Sequence, residues 1–167
     1  MKQSSTVKIN RDRTLPQDLD FQWRWRHFDL FTAREWHQVL MLRAEIFVVE
    51  QNCPYVDPDY KDPQSWHLEC KHGDRLVGTL RAVPPGVSYT ESSIGRVVIS
   101  SDYRGRKLGR ELMLAGISFN RAMWGGPIRI SGQAYLQEFY ESLDFATVSE
   151  PYLEDDIPHI EMLYTPD

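Results

Sequence analysis

The sequence predicts a single α/β or α+β domain, one mixed sheet covered by helices, and three observations carry that prediction. Apolar patterns of period two and period 3.6 alternate along the chain, with strands both preceding and separating the helices. A length of 167 residues and 19.5 kDa suits one well-cored domain. Hydrophobic residues at 41% and charged residues at 26% exclude collagen-like, disordered and disulfide-scaffold classes. No internal repeat or low-complexity tract interrupts the pattern.

Residues 1–20 lack periodicity and are expected to form a loose arm, leaving 21–167 as the domain. Phe21, Trp23 and Trp25 alternate with polar residues, the pattern of a strand with one buried face. Thr32 followed by Glu35 is a capping box, so a helix should start there and carry Trp36, Val39, Leu40, Ile46 and Phe47 on its stripe, broken by Arg43. Pro54, Pro58 and Pro63, interspersed with Asp57, Asp59 and Asp62, mark residues 51–65 as an ordered loop. Strands Trp66 to Lys71 and Leu76 to Val83 flank a hairpin connection at Gly73, and Pro84-Pro85-Gly86 stops the second. Ile94 to Ile99 is β-branched and reads as a central strand. Leu108, Leu112, Ala115 and Phe119 mark a long helix that ends near Gly125-Gly126-Pro127. A strand over Ile128 to Ser131, a helix carrying Leu136, Phe139, Tyr140 and Leu143, and strands near Phe145 to Ser149 and His159 to Leu163 complete the chain.

The net charge of −5 argues against general binding to a nucleic acid backbone. It also conceals an asymmetry: four basic side chains and no acid lie between Arg104 and Arg110, against eight acids and no Lys or Arg between Glu141 and Asp167. Cys53 and Cys70 supply no metal quartet and no C-x-x-C, and read as reduced thiols. The Asp57, Asp59, Asp62 and His67 group lacks the Gly and Glu of a calcium loop, so no metal is expected. With no apolar run long enough for a bilayer and a polar N-terminal stretch, neither a membrane partner nor a signal peptide is expected, and the cytoplasm is the default location.

The most informative segment is the strand, short turn and helix from Ile94 to Arg110. Helix-start amides are unpaired and carry the positive end of the dipole, so this arrangement binds anions. Arg104, Arg106, Lys107 and Arg110 run against the usual first-turn preference for acids, and a bound polyanion would reverse that unfavourable term. Gly105 and Gly109 let a phosphate approach the backbone. Neither G-x-x-x-x-G-K-[ST] nor G-x-G-x-x-G is present, which points to another phosphate carrier.

Arg104-Gly105-Arg106-Lys107-Leu108-Gly109 resembles the acyl-CoA motif Q/R-x-x-G-x-G/A of the GNAT acetyltransferases, and Tyr140 to Phe145 is similar to their later Y-x-x-x-G-F. Ile46 to Tyr55, Ile94 to Val97, Gln133-Ala134 and Asp156 to Ile160 resemble the ElaA-type subgroup. Lys107 and Asp144 stand where the family usually has glycine. The resemblance implies a mixed, mostly antiparallel central sheet flanked by helices, and acetyl-CoA as co-substrate. It also implies pantetheine contacts at Val97, Val98 and Ile99, pyrophosphate contacts along Arg104, Gly105, Arg106, Lys107, Leu108, Gly109 and Arg110, and a donor-site role for Gln133. By the same token Tyr140 is the general acid. His159 is one candidate base because imidazole titrates near neutrality; Glu45, Glu50 and His67 are others. The expected acceptor is a small-molecule or peptide amine, cationic if the acids of the Asp57 loop and of residues 150–156 face it, and exposed strand edges suit a homodimer. Two other readings stay open: a relative of acyl-homoserine-lactone synthases, which residues 47–50 resemble, and a non-catalytic acyl-CoA sensor.

Overall fold

The structure is a computed structural model that describes residues 20–166. The arm expected over residues 1–20 therefore lies outside the described residues, Asp20 excepted.

Among the described residues the first strand, β1 (Phe21–His27), stands at the edge of the sheet and pairs only with β2 (Trp66–His72). Its buried residue is not the expected tryptophan row. Trp25 stacks on Phe119 at 3.9 Å, but Trp23 is 40% exposed, while Arg26 on the opposite face is 3% exposed. The reason is electrostatic: Arg26 meets Glu69 at 2.6 Å and Glu35 at 2.8 Å, so its charge is matched inside the fold.

Helix α1 (Ala33–Arg43) starts on the expected capping box, Thr32 Oγ1 accepting from the Glu35 N–H at 3.3 Å and the Glu35 carboxylate from the Thr32 N–H at 2.9 Å. The expected continuation through Phe47 occurs with a change of pitch. Ala44–Glu50 is π-helical, and its five-residue bonds extend past it as Gln51 N–H to Ile46 O and Cys53 N–H to Val48 O, both 3.1 Å. Such wide turns turn side chains toward sites that a regular helix would miss.

Strands β3 (Arg75–Val83) and β4 (Ser92–Ile99) follow, then α2 (Leu108–Trp124), β5 (Ile128–Gln133), α3 (Gln137–Glu141), β6 (Phe145–Thr147), β7 (Tyr152–Glu154) and β8 (Ile157–Tyr164). The sheet order is β1-β2-β3-β4-β5-β8-β6, with β7 also on β8. Every pairing is antiparallel except β4 with β5, and β4 is central as expected. The helix expected around Tyr140 is only five residues long, and β7, all of it exposed, has no apolar pattern to announce it.

Two apolar layers clasp the sheet. On one face α2 packs Leu112, Met113 and Ile117 against Leu80, Ile94, Ile128, Ile130 and Met162. Gly116 makes that approach close, since a Cβ there would stand 2.9 Å from Leu80. On the other face α1 and the π-helical turn bury Val39, Leu42 and Ile46 against Leu76 and Val98.

Candidate active site

The site begins where the sheet opens. β4 and β5 pair only at Ser92 with Ile128 and Ser93 with Arg129, and beyond those residues the two strands part. On its other side β4 shifts register against β3 between Thr79 and Arg81, opposite Arg96, whose φ of 51° is left-handed. Val97, Val98 and Ile99 are thus left without a strand partner on the β5 side, where backbone groups can meet a ligand.

A groove of about 560 Å³ runs from this edge over the start of α2, lined by Val97 to Ile99, Tyr103, Arg104, Gly105, Lys107 to Arg110, Leu136, Phe139 and Tyr140. Lys107 precedes α2 in a left-handed conformation, φ 61°, with no side-chain cap. Its carbonyl accepts from the Arg110 and Glu111 amides at 3.0 and 3.1 Å, whereas the amides of Gly105, Lys107, Leu108 and Gly109 have no partner among the described residues. A Cβ placed on Gly109 would meet nothing within 4 Å, and its φ is not positive, so nothing inside the protein requires glycine there. The open amides fit a pyrophosphate, and a bare Gly109 lets one reach them. Arg104 and Arg110 already have protein partners: Arg104 meets Glu50 at 2.6 Å, and Arg110 bonds the Ser142 hydroxyl at 2.9 Å, tying α2 to the end of α3.

A second cleft, about 730 Å³, adjoins the first and shares Val97, Val98, Ile99, Arg104, Leu136 and Tyr140 with it. Strand alternation separates their walls. Ile128 and Ile130 face α2, and a Cβ on Gly132 would stand 2.7 Å from the Tyr140 ring, so Tyr140 lies on the α2 face. Ser131 and Gln133 point the other way, Gln133 donating to Gln51 at 3.2 Å, next to the π-helical turn. His159 pairs with Gln133 in β5 and with Tyr152 in β7, on that same face. The gap between β4 and β5 therefore connects Tyr140 on one face with Gln133 and His159 on the other.

Burial, then the nearby Tyr135, pushes the Tyr140 phenol up to about 12. His159 Nδ1 lies 2.7 Å from the Ile157 carbonyl, which can only accept; Nδ1 carries the hydrogen and Nε2 is left as the basic nitrogen. Of the other candidate bases, Glu50 lines the cleft in its pair with Arg104, and Glu45 is absent from the lining. His67 is removed from the site altogether. It is 1% exposed, hydrogen-bonded to the Asp62 carbonyl and packed on Trp36, and burial lowers its pKa to about 4.

The acidic loop of residues 57–62 is not an open anionic rim. Arg43 binds Asp57 at 2.7 Å and Asp62 at 2.9 Å; Arg81 binds Asp59 at 2.6 Å and Asp62 at 2.8 Å; Arg96 reaches Asp57 at 2.9 Å. Burial alone would raise the Asp62 carboxyl, but hydrogen bonds and charge from Arg43, then Arg81, outweigh it and hold the pKa below the ordinary range. The break that Arg43 makes in the α1 stripe was the one sequence signal of this network. Cys53 and Cys70 are buried free thiols, and among the described residues no group of three or more His, Cys, Asp or Glu could hold a metal ion. No helix among them is long and apolar enough to cross a membrane.

Sequence reasoning misses Gln51, Ser131, Tyr152 and the close approach of Gly132 to Tyr140, and it reaches Glu154 only as one of the acids of residues 150–156. Once Ile128–Gln133 is a strand, its alternation predicts the shared face of Ser131 and Gln133; for Glu154 the acidic run of residues 150–156 is the signal, and it does not single out one carboxylate.

Residues 56–166 match the Acetyltransferase (GNAT) domain. ElaA of Escherichia coli is 37% identical over 144 residues, which span 84% of this chain and 94% of that protein. An acyl-CoA N-acyltransferase from Pseudomonas aeruginosa superposes with a TM-score of 0.84 at 39% identity, over 87% of this chain and 100% of that one. The AHL synthase LasI superposes at 0.73 with 11% identity, over 89% of this chain and 91% of that one, a likeness of fold alone.

Proposed function

The chain belongs to the GNAT acetyltransferase family, within its ElaA-type subgroup, and on that premise we propose that it is a cytoplasmic N-acetyltransferase moving an acetyl group from acetyl-CoA to a primary amine of a cationic small molecule or peptide. One observation carries this reading: Tyr140 lines both the groove over the anion-binding turn and the cleft on the opposite face.

The donor's pyrophosphate rests on the open amides of Gly105, Lys107, Leu108 and Gly109, with Arg104, Arg106, Lys107 and Arg110 supplying positive field around it. Its pantetheine runs along the free edge of Val97 to Ile99, which brings the thioester to the gap between β4 and β5. The amine enters from the far face past Gln133 and His159. Its nitrogen attacks the acetyl carbon, the new C–N bond replaces the C–S bond, and the surplus proton leaves the nitrogen for His159 Nε2.

Tyr140 serves the departing sulfur as a hydrogen-bond donor. With the phenol at about 12 and a free thiol near 8.5, complete proton transfer is uphill by roughly 5 kcal/mol. The phenol keeps its proton at any working pH and stabilises the developing thiolate without giving the proton up. Tyr140→Phe should therefore leave donor affinity intact and lower kcat by about 10²-fold, read as CoA release and as acetyl-CoA binding by calorimetry. Unchanged turnover across pH would sink the role. Tight donor binding by the unaltered protein without turnover on any amine would favour the sensor reading instead.

A further inference from the structure

The acids around the cleft fall into two groups. Asp57, Asp59 and Asp62 are neutralised by Arg43, Arg81 and Arg96; Glu50 is paired with Arg104; Glu91 and Glu161 share Arg129 at 2.9 and 3.0 Å. Glu154 and Asp155, which line the cleft, have no cationic partner among the described residues.

Glu154 is also the one of these two whose carboxylate a neighbour fixes. Ser131 Oγ donates to Glu154 Oε2 at 2.9 Å, and the Tyr152 phenol is hydrogen-bonded to the same Ser131 oxygen. A carboxylate can only accept, so the serine hydrogen points at Glu154 and the phenol donates to the serine. The result is a directed chain from phenol to hydroxyl to carboxylate that holds one oxygen and leaves the other open. Tyr152 stacks beside His159 with ring centroids 6.2 Å apart, which adds an aromatic wall. Tyr89, also in the cleft lining, is pushed up to about 12, chiefly by burial, with the nearby Tyr152 and the carboxylates of Glu161 and Glu154 adding to it. A fixed carboxylate with no cationic partner among the described residues, in a cleft that also holds aromatic rings, is complementary to an ammonium.

We propose that Glu154, held by Ser131 and Tyr152, seats a second cationic group of the acceptor, so that the substrate is a dication acetylated at its other amine. This rests on the acetyl-transfer reading above. Ser131 lies two residues from Gln133 along β5, about 7 Å, and Gln133 is level with His159. That separation suits two amines joined by a short alkyl chain.

The test uses the full chain, acetyl-CoA, and 1,4-diaminobutane against 1-aminobutane, with CoA release as one readout. Calorimetric binding of the diamine to the CoA-saturated protein is the other. The unaltered protein should prefer the diamine by about fivefold or more in kcat/KM, a preference that declines with added salt. Glu154→Gln should bring the ratio to about one through KM, and Glu154→Asp should restore part of it. Ser131→Ala, which keeps the charge but frees the carboxylate, should fall between. Glu154 is exposed, so these changes leave the core untouched. Absence of a diamine preference, or a preference that survives Glu154→Gln, overturns the seat while acetyl transfer stands. Diamine binding that depends on Glu154 but yields no CoA release supports the seat and sinks acetyl transfer; absence of both binding and release overturns the seat.

Discussion

The two faces of the sheet are built by different means for the donor and acceptor proposed above. On the α2 face the proposed anion site is made of the backbone amides of Gly105, Lys107, Leu108 and Gly109, and side chains are accessory. On the α1 face the cleft is made of side chains from distant segments: Gln51, Ser131, Gln133, Glu154 and His159. A backbone site is local in sequence and keeps its chemistry whatever surrounds it. A convergent site takes its charge from its neighbours. The acidic loop shows this, because Asp57, Asp59 and Asp62 carry no free charge once Arg43, Arg81 and Arg96 have met them.

The sharpest way to break the contrast is to break that network. Arg43 is 1% exposed between Asp57 and Asp62, and Arg43→Met fills a similar volume while breaking two buried ion pairs at once, leaving Asp62 with Arg81 alone and Asp57 with Arg96 alone. A stability loss of about 3–5 kcal/mol is expected, read from urea midpoints. A loss near zero would mean that water already supports these carboxylates and that the far wall does not depend on the ion pairs.

Acid should act next, through the buried His67 that bonds the Asp62 carbonyl behind this network. With its pKa held at about 4 by burial, His67 stays neutral in the fold while the unfolded chain takes up a proton below its ordinary value near 6.5. The unfolded state binds more protons throughout that window, so stability falls as pH drops from about 6.5 toward 4, by roughly 3 kcal/mol in all. His67→Gln should flatten the slope of stability against pH there. An unaltered slope would assign the acid sensitivity to other groups.

Gly109 tests the donor face, and its two effects should have opposite signs. Alanine at this first-turn position meets no protein atom and is a better helix former, so stability should rise by up to about 1 kcal/mol. The added methyl stands where a phosphate must approach, and acetyl-CoA affinity should drop by about tenfold, equivalent to 1.4 kcal/mol. Affinity that is unchanged in Gly109→Ala would remove the pyrophosphate from these amides.

Sequence legibility follows the same division. The strand, turn and α2, the capping box at Thr32, the stop at Gly125 and the motif around Tyr140 each occupy a few consecutive residues, and each could be read. Arg26 could not, because the charge that permits its burial comes from Glu69, 43 positions away. The π-helical turn after α1, the neutralised aspartates and the Ser131–Glu154 contact likewise depend on partners that only the fold brings together.

The smallest expected effects concern Lys107 and Asp144, which hold left-handed φ values of 61° and 67° where the family usually has glycine. The family's glycines are thus explained by backbone conformation in this chain that lacks them. For a lysine the left-handed conformation costs about 1–2 kcal/mol, and glycine returns about 0.4–1 kcal/mol of that through the greater freedom of its unfolded state. Lys107→Gly should gain about 0.5–1 kcal/mol in a urea titration. Asp144→Gly should gain less, because aspartate tolerates this conformation better. Lys107→Gly also removes an ammonium beside the donor while keeping its amide. If the donor face is built from backbone, acetyl-CoA affinity should fall by no more than about fivefold, the range of an exposed charge. A loss of a hundredfold would make the lysine side chain the anion's main partner, and the two faces would then recognise their ligands by the same means.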